Sequence, residues 1–118
     1  MGEVDQRRRA TADRLPEKKI DALLVSSPAN VRFLTGYAGS NGLVLLTAHE
    51  AHFFTDPRYA LEASREITCR VHVAKGPLTE AAAAIVKRKR LKKLGFEASW
   101  MRFDDYARLR TPSRWASR

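Results

Sequence analysis

Cysteine is almost absent from this sequence. Cys69 is the single one, so no disulfide can form within the chain. It lies in TCRVHV, residues 68–73, an apolar-alternating run where a thiol is expected to be buried or half-buried and inert. A nucleophilic thiol would need a depressed pKa and an adjacent base. His72 is the nearest candidate base, but three positions along a strand it falls on the opposite face. A lone thiol also suits a reducing cytosol. Long apolar runs are missing as well, and none approaches the ~20 residues a membrane-spanning helix needs. The opening MGEVDQRRRATADRL is basic, with no apolar segment behind it, so it does not read as a secretory signal. A cytoplasmic protein with no membrane partner is expected. At 118 residues, 44% hydrophobic and 30% charged, the chain has material for one globular domain with its own core.

Acidic residues are scarce relative to basic ones, and the formal net charge is +9. Nucleic acid therefore has to be weighed as a partner. The excess is concentrated in Arg7–Arg9 and in KRKRLKK, Lys87–Lys93. Consecutive basic residues on a helix cannot all face one groove, and no aromatics are interleaved to stack single-stranded bases. A solvated helix end complementing the helix dipole accounts better for the second cluster.

Punctuation divides the chain into alternating helices and strands. RRRATADRLPEKKI predicts an amphipathic helix ending near Arg14 or Leu15, before Pro16. DALLVSS reads as a buried strand. In SSPANVRFLTG, Ser27 can cap a helix, Pro28 suits its first position, and Gly36 can take the left-handed conformation at its end. LVLLT and HFFTD form an antiparallel pair around the turn AHEA. Asp56-Pro57 repeats the cap-plus-proline start, for a helix with Tyr59, Ala63 and Ile67 on one face. CRVHV follows as a strand, with Val71 and Val73 opposing Arg70 and His72. LTEAAAAIVKRKRLKKL is a helix opening with Thr79 as cap and turning Leu78, Ala82, Ile85 and Val86 inward. LGFEA is a short strand and MRFDDYARLR a last helix, while TPSRWASR has no period. The fold class is α/β, a mixed sheet of about five or six strands flanked by helices.

Chemistry-bearing residues are thinly spread. GYAGSNG, residues 36–42, fits neither common nucleotide-loop pattern. Phosphate cradles run strand, glycines, helix, whereas here the order is helix, glycines, strand. The glycines are read as a helix stop and a tight turn. Ser40 sits in no nucleophile elbow. His49, His52 and His72 lack metal-ligand spacing, and His49-Glu50 reads as a solvated turn. Asp104 and Asp105 are adjacent and diverge on a helix. Arg58, in the first turn after Asp56-Pro57, is either a surface arginine packing its stem or a planar clamp for a carboxylate or carbonyl.

The order of these pieces resembles the N-terminal domain of the creatinase/prolidase superfamily, closest to Xaa-Pro aminopeptidases and Xaa-Pro dipeptidases. The resemblance rests on NVRFLTGY, Asn30–Tyr37; on the turn Ala38–Gly42; and on TDPRY, Thr55–Tyr59, followed by Glu62-Ala63. GFEASWMRFDDYARL resembles a later family segment, and the likeness covers roughly residues 5–110. Pro57 departs from the family's usual glycine, and the tail 111–118 does not look like its linker.

The resemblance implies a ribonuclease H-like sandwich in a single domain, 1–118, with no catalytic or metal-binding residues of its own. It implies that the pita-bread catalytic domain, absent from this chain, holds two divalent metals, manganese or cobalt, and hydrolyses the bond before proline. This domain would shape substrate access and oligomerisation. Its partners would be its own catalytic domain, further copies in a homodimer or larger homo-oligomer, and a proline-containing peptide at the rim. Carried over, Arg58 would contact that peptide, with Tyr37, Ser40 and Asn41 on the same rim. The alternatives are a small basic nucleic-acid-binding module, a stand-alone pairing domain, and the N-terminal domain of a creatinase-type hydrolase.

Overall fold

The structure, a computed structural model, describes residues 2–96. Five strands form one sheet in the order β4-β3-β2-β1-β5. They are β1 (Ala22–Val25), β2 (Leu43–Thr47), β3 (Ala51–Thr55), β4 (Arg70–Val73) and β5 (Leu94–Phe96). β2 is antiparallel to both β1 and β3, as the LVLLT and HFFTD pattern predicts. β4 runs parallel to β3, and β5 runs parallel to β1. Four strands therefore share one direction and end at the same edge of the sheet.

The central strands explain the layers. Every residue of LVLLT is buried, so β2 has no face to give to water. On one side, α4 (Leu78–Arg88) brings Ala82, Ile85 and Val86 against Leu24, Leu43, Leu45 and Phe54. On the other, α1 (Glu3–Ala12), α2 (Pro28–Thr35) and α3 (Ala60–Glu66) cover Val25, Val44, Leu46 and Phe53. The mixed α/β sandwich is the expected fold class.

Local signals set most boundaries. Ser27 Oγ accepts the Asn30 N–H at 3.3 Å, Pro28 opens α2, and Gly36 ends it at φ 79°. The Gly36 N–H closes on the Arg32 carbonyl at 2.7 Å. The next two carbonyls of that last turn are taken by α1: Arg7 Nε donates to the Phe33 carbonyl at 2.6 Å, and Arg8 Nη1 to Leu34 at 2.9 Å. Arg8 is buried and also bonds Asp5 and Thr68 Oγ1. Two arginines of the first basic cluster thus dock one helix on another, which leaves them poorly placed to serve as phosphate ligands.

Three expectations need correction. α1 ends at Ala12, not near Arg14 or Leu15. Arg14 and Leu15 bond three residues back and tighten the chain before Pro16, which has no N–H to continue the helix. Thr79 does not cap α4; the helix starts at Leu78, two residues before the start such a cap implies, with Thr79 buried in its first turn, and it ends at Arg88 rather than running through KRKRLKKL. Val73, read with Val71 on one face of its strand, is 49% exposed, at the end of β4, which is an edge strand among the described residues. The expected helix at MRFDDYARLR, with Asp104 and Asp105, and the tail 111–118 lie outside the described residues.

Phe53 is fully buried on the central strand β3. Phe53→Ala is expected to lower unfolding free energy by about 3–5 kcal/mol. Leu61→Ala, at an exposed position of α3, should stay within about 0.5 kcal/mol. Urea denaturation followed by circular dichroism measures both.

Candidate functional site

Loops at the carboxyl end of the parallel strands are where open α/β sheets usually bind ligands. Here that edge carries the turn 37–42, between α2 and β2, and the segment Asp56–Tyr59, between β3 and α3. β3 ends at Thr55, whose Oγ1 donates to the Asn41 carbonyl at 2.7 Å. The Asn41 amide in turn donates to Asp56 Oδ2. Ser40 Oγ and the Tyr59 hydroxyl lie 2.7 Å apart. The two segments are therefore joined side chain to side chain.

Asp56 is the centre of this junction. Its Oδ1 accepts the Arg58 N–H at 2.8 Å, the cap interaction that starts a 3-10 turn over Pro57–Tyr59. The same carboxylate grips the Arg58 side chain through Nε at 3.0 Å and Nη2 at 2.8 Å. The guanidinium carbon lies 5.1 Å from the Tyr59 ring centroid. Hydrogen bonds from Arg58, then from Asn41, hold the Asp56 carboxyl well below the usual carboxylate range. Arg58 remains exposed while its orientation is fixed.

Arg58, Ser40 and Asn41, all named from the sequence, come together at this edge. Tyr37 does not reach the surface: it is 2% exposed, with its ring edge-on to Phe53 at 5.2 Å. Burial pushes its phenol pKa up, and among the described residues its buried hydroxyl has no hydrogen-bond partner. It underlies the turn. A Cβ on Gly39 would come within 2.1 Å of the Tyr37 hydroxyl, so the glycine lets the turn close over the ring. Sequence reading took Asp56 only as a helix cap; an arginine two residues after a capping aspartate was the available sign of the second role.

A second constellation lies under α4. His52 and His72 are not scattered: His52 Nδ1 and His72 Nε2 are 2.9 Å apart. Glu50, read as a solvated turn residue, meets His52 Nε2 at 2.8 Å and Lys89 Nζ at 3.0 Å. Glu50 and His72 engage opposite nitrogens of His52, so the three cannot surround one ion. Among the described residues, no three His, Cys, Asp or Glu side chains form a metal-binding group. Cys69 is half-buried and burial raises its pKa, which suits an inert thiol. No described helix is long and apolar enough to cross a membrane.

A sheet with helices on both faces and a polar, arginine-bearing loop junction at its carboxyl edge defines an α/β domain with a candidate binding rim. The chain belongs to the creatinase/prolidase N-terminal domain family, whose model matches residues 7–113. It is 36% identical over 89 residues to a Bacillus subtilis protein described as uncharacterized peptidase YqhT, covering 75% of this chain and 25% of that protein. It is similar to the N-terminal domain of the cytoplasmic peptidase PepQ from Mycobacterium tuberculosis, at TM-score 0.87 and 26% identity over 96% of this chain and 92% of that one. It is also similar to a Xaa-Pro dipeptidase from Bacillus anthracis, at TM-score 0.80 and 26% identity, covering 98% of this chain but 33% of that one. The chain thus spans about a quarter of the length of the curated relative it matches.

Gly39→Ala is expected to cost about 1–3 kcal/mol, because the Tyr37 ring is held by Phe53 and cannot easily yield. Gly76→Ala, with open space around the added carbon, should be nearly neutral in the same melt. Asp56 has its pKa lowered on folding, so its stabilisation is complete above the unfolded value of about 3.9 and is lost as pH falls through the folded value. Asp56→Asn should therefore destabilise the domain at pH 7, and the gap from wild type should narrow in strong acid. A pH series of urea midpoints tests this.

Proposed function

We propose that this chain is the non-catalytic N-terminal domain of a metal-dependent Xaa-Pro aminopeptidase or dipeptidase, acting in the cytoplasm. The observation that carries the reading is Arg58, exposed yet clamped by Asp56 at the carboxyl edge of the sheet, in a chain of this family. In the full-length protein this edge would border the mouth of the active site. Arg58 would donate hydrogen bonds to a carbonyl or carboxylate of a proline-containing peptide. Ser40 and Asn41 would fix the facing turn, and Tyr37 would support it from beneath. Hydrolysis of the bond before proline would belong to the catalytic domain, whose residues would hold two manganese or cobalt ions. The domain would also contribute to a homo-oligomer. Its similarity to proteins described as peptidases favours peptide as substrate.

Arg58→Ala in the full-length enzyme is expected to raise KM for Xaa-Pro peptides by about tenfold, with kcat changed less. An unchanged KM would remove Arg58 from the rim. The 118-residue chain alone should show no manganese-dependent turnover. Turnover above a metal-free blank would overturn the division of labour.

A further inference from the structure

The histidine pair on β3 and β4 lies outside the rim, and the rim's chemistry does not use it. His52 is 1% exposed and His72 is half-buried. Their ring centroids are 5.1 Å apart, and Phe54 stacks on His72 at 4.8 Å. Sheet register sets the pair: His72 of β4 lies opposite Phe54, one pleat from His52 on the same face.

Proton inventory limits what this pair can hold. The Glu50 carboxylate can only accept, so His52 Nε2 carries a hydrogen. In neutral His52 the other nitrogen, Nδ1, is then an acceptor, and His72 Nε2 donates to it. One added proton can go to His72 Nδ1 without disturbing that bond. A second would have to go to His52 Nδ1, where it would face the His72 N–H. Two donors at 2.9 Å cannot coexist, so the contact must open. Arg70 of β4 and Arg88 of α4 disfavour a charge on His72, while Glu50, bonded to His52, is shared with Lys89 just past α4. Burial, then His52, then these arginines lower the pKa of His72.

We propose that His52 and His72 form an acid-sensitive latch that holds the edge strand β4 against β3, and that opening it loosens the rim. Among the described residues β4 has β3 as its one strand neighbour, so the contacts between these two strands bear on its position. Just past β4, the Ala74 N–H donates to the Thr55 carbonyl at 2.8 Å. Thr55 in turn holds Asn41, and Asp56 follows it. A displaced β4 therefore withdraws support from the junction that orients Arg58. Folding lowers the His72 pKa, so the first proton, on His72 Nδ1, costs stability as pH falls below the unfolded value of about 6.5 through the folded value, while the contact itself opens only with the second. The latch acts whether or not the rim binds peptide.

Backbone hydrogen exchange on the 118-residue chain at pH 7.5 and pH 5.0, corrected for intrinsic rates, tests the latch. Amides of β4 should lose about tenfold more protection on acidification than those of β1 and β2. His72→Gln, which keeps a donor but cannot titrate, should abolish that difference, whereas His49→Gln should retain it. Equal loss across the sheet, or a β4-specific loss that survives in His72→Gln, would overturn the proposal. Should His72→Gln not fold, wild-type imidazole resonances decide: the second protonation of the pair must coincide with the loss of β4 protection, and separate midpoints sink the idea.

Discussion

Burial of β2 on both faces governs this molecule. A strand with five buried residues and no polar face has to be covered twice, by α4 on one side and by α1 to α3 on the other. Covering both faces leaves only the ends and edges of the sheet for chemistry. Four strands running the same way bring their carboxyl ends to one end, so loops that are distant in sequence meet there. The packing constraint thus selects where a site can be before any polar residue is considered.

At that end a single carboxylate does several jobs. Asp56 starts a helical turn, bonds the glycine-rich turn through Asn41, and fixes Arg58. An exposed arginine ordinarily loses considerable rotamer entropy when it binds something. Here part of that loss has already occurred in the free domain, which is the physical content of preorganisation. The remaining elements hold the same geometry from below: Tyr37 supports the turn, and Gly39 permits it to close over the ring.

Much of the fold was legible because its signals are local. Ser27, Pro28 and Gly36 mark a helix within ten positions, and Asp56-Pro57 marks another start. The features that could not be read involve partners far apart in the chain. Arg7 and Arg8 look like a solvated basic cluster, but their acceptors lie 26 residues away on α2. His52 and His72 are separated by 20 residues and meet only because β3 and β4 are parallel in one particular register. At the rim, the residues alone left Arg58 open between a surface arginine and a clamp; the family resemblance gave it the rim role and added Ser40 and Asn41. It also supplied Tyr37, which the geometry places beneath the turn because an aromatic ring finds more apolar contact against Phe53 than at the surface.

The Asp56–Arg58 pair also determines what sort of recognition the rim can offer. Asp56 lies directly against the guanidinium, so the local charge is close to neutral despite the chain's net charge of +9. A bare arginine would attract any anion, and its attraction would weaken steeply with salt. A neutralised arginine keeps its directional donors and loses much of its long-range field. Nε and Nη2 are held by Asp56, which leaves Nη1 uncommitted among the described residues. Such a group discriminates by geometry, accepting a carbonyl or carboxylate oxygen presented at the right angle. That suits a short peptide delivered to a confined mouth better than a polyanion sliding over a basic face. Arg7, Arg8 and Lys89 support the same conclusion, since each of these cations is bound to the chain's own acceptors.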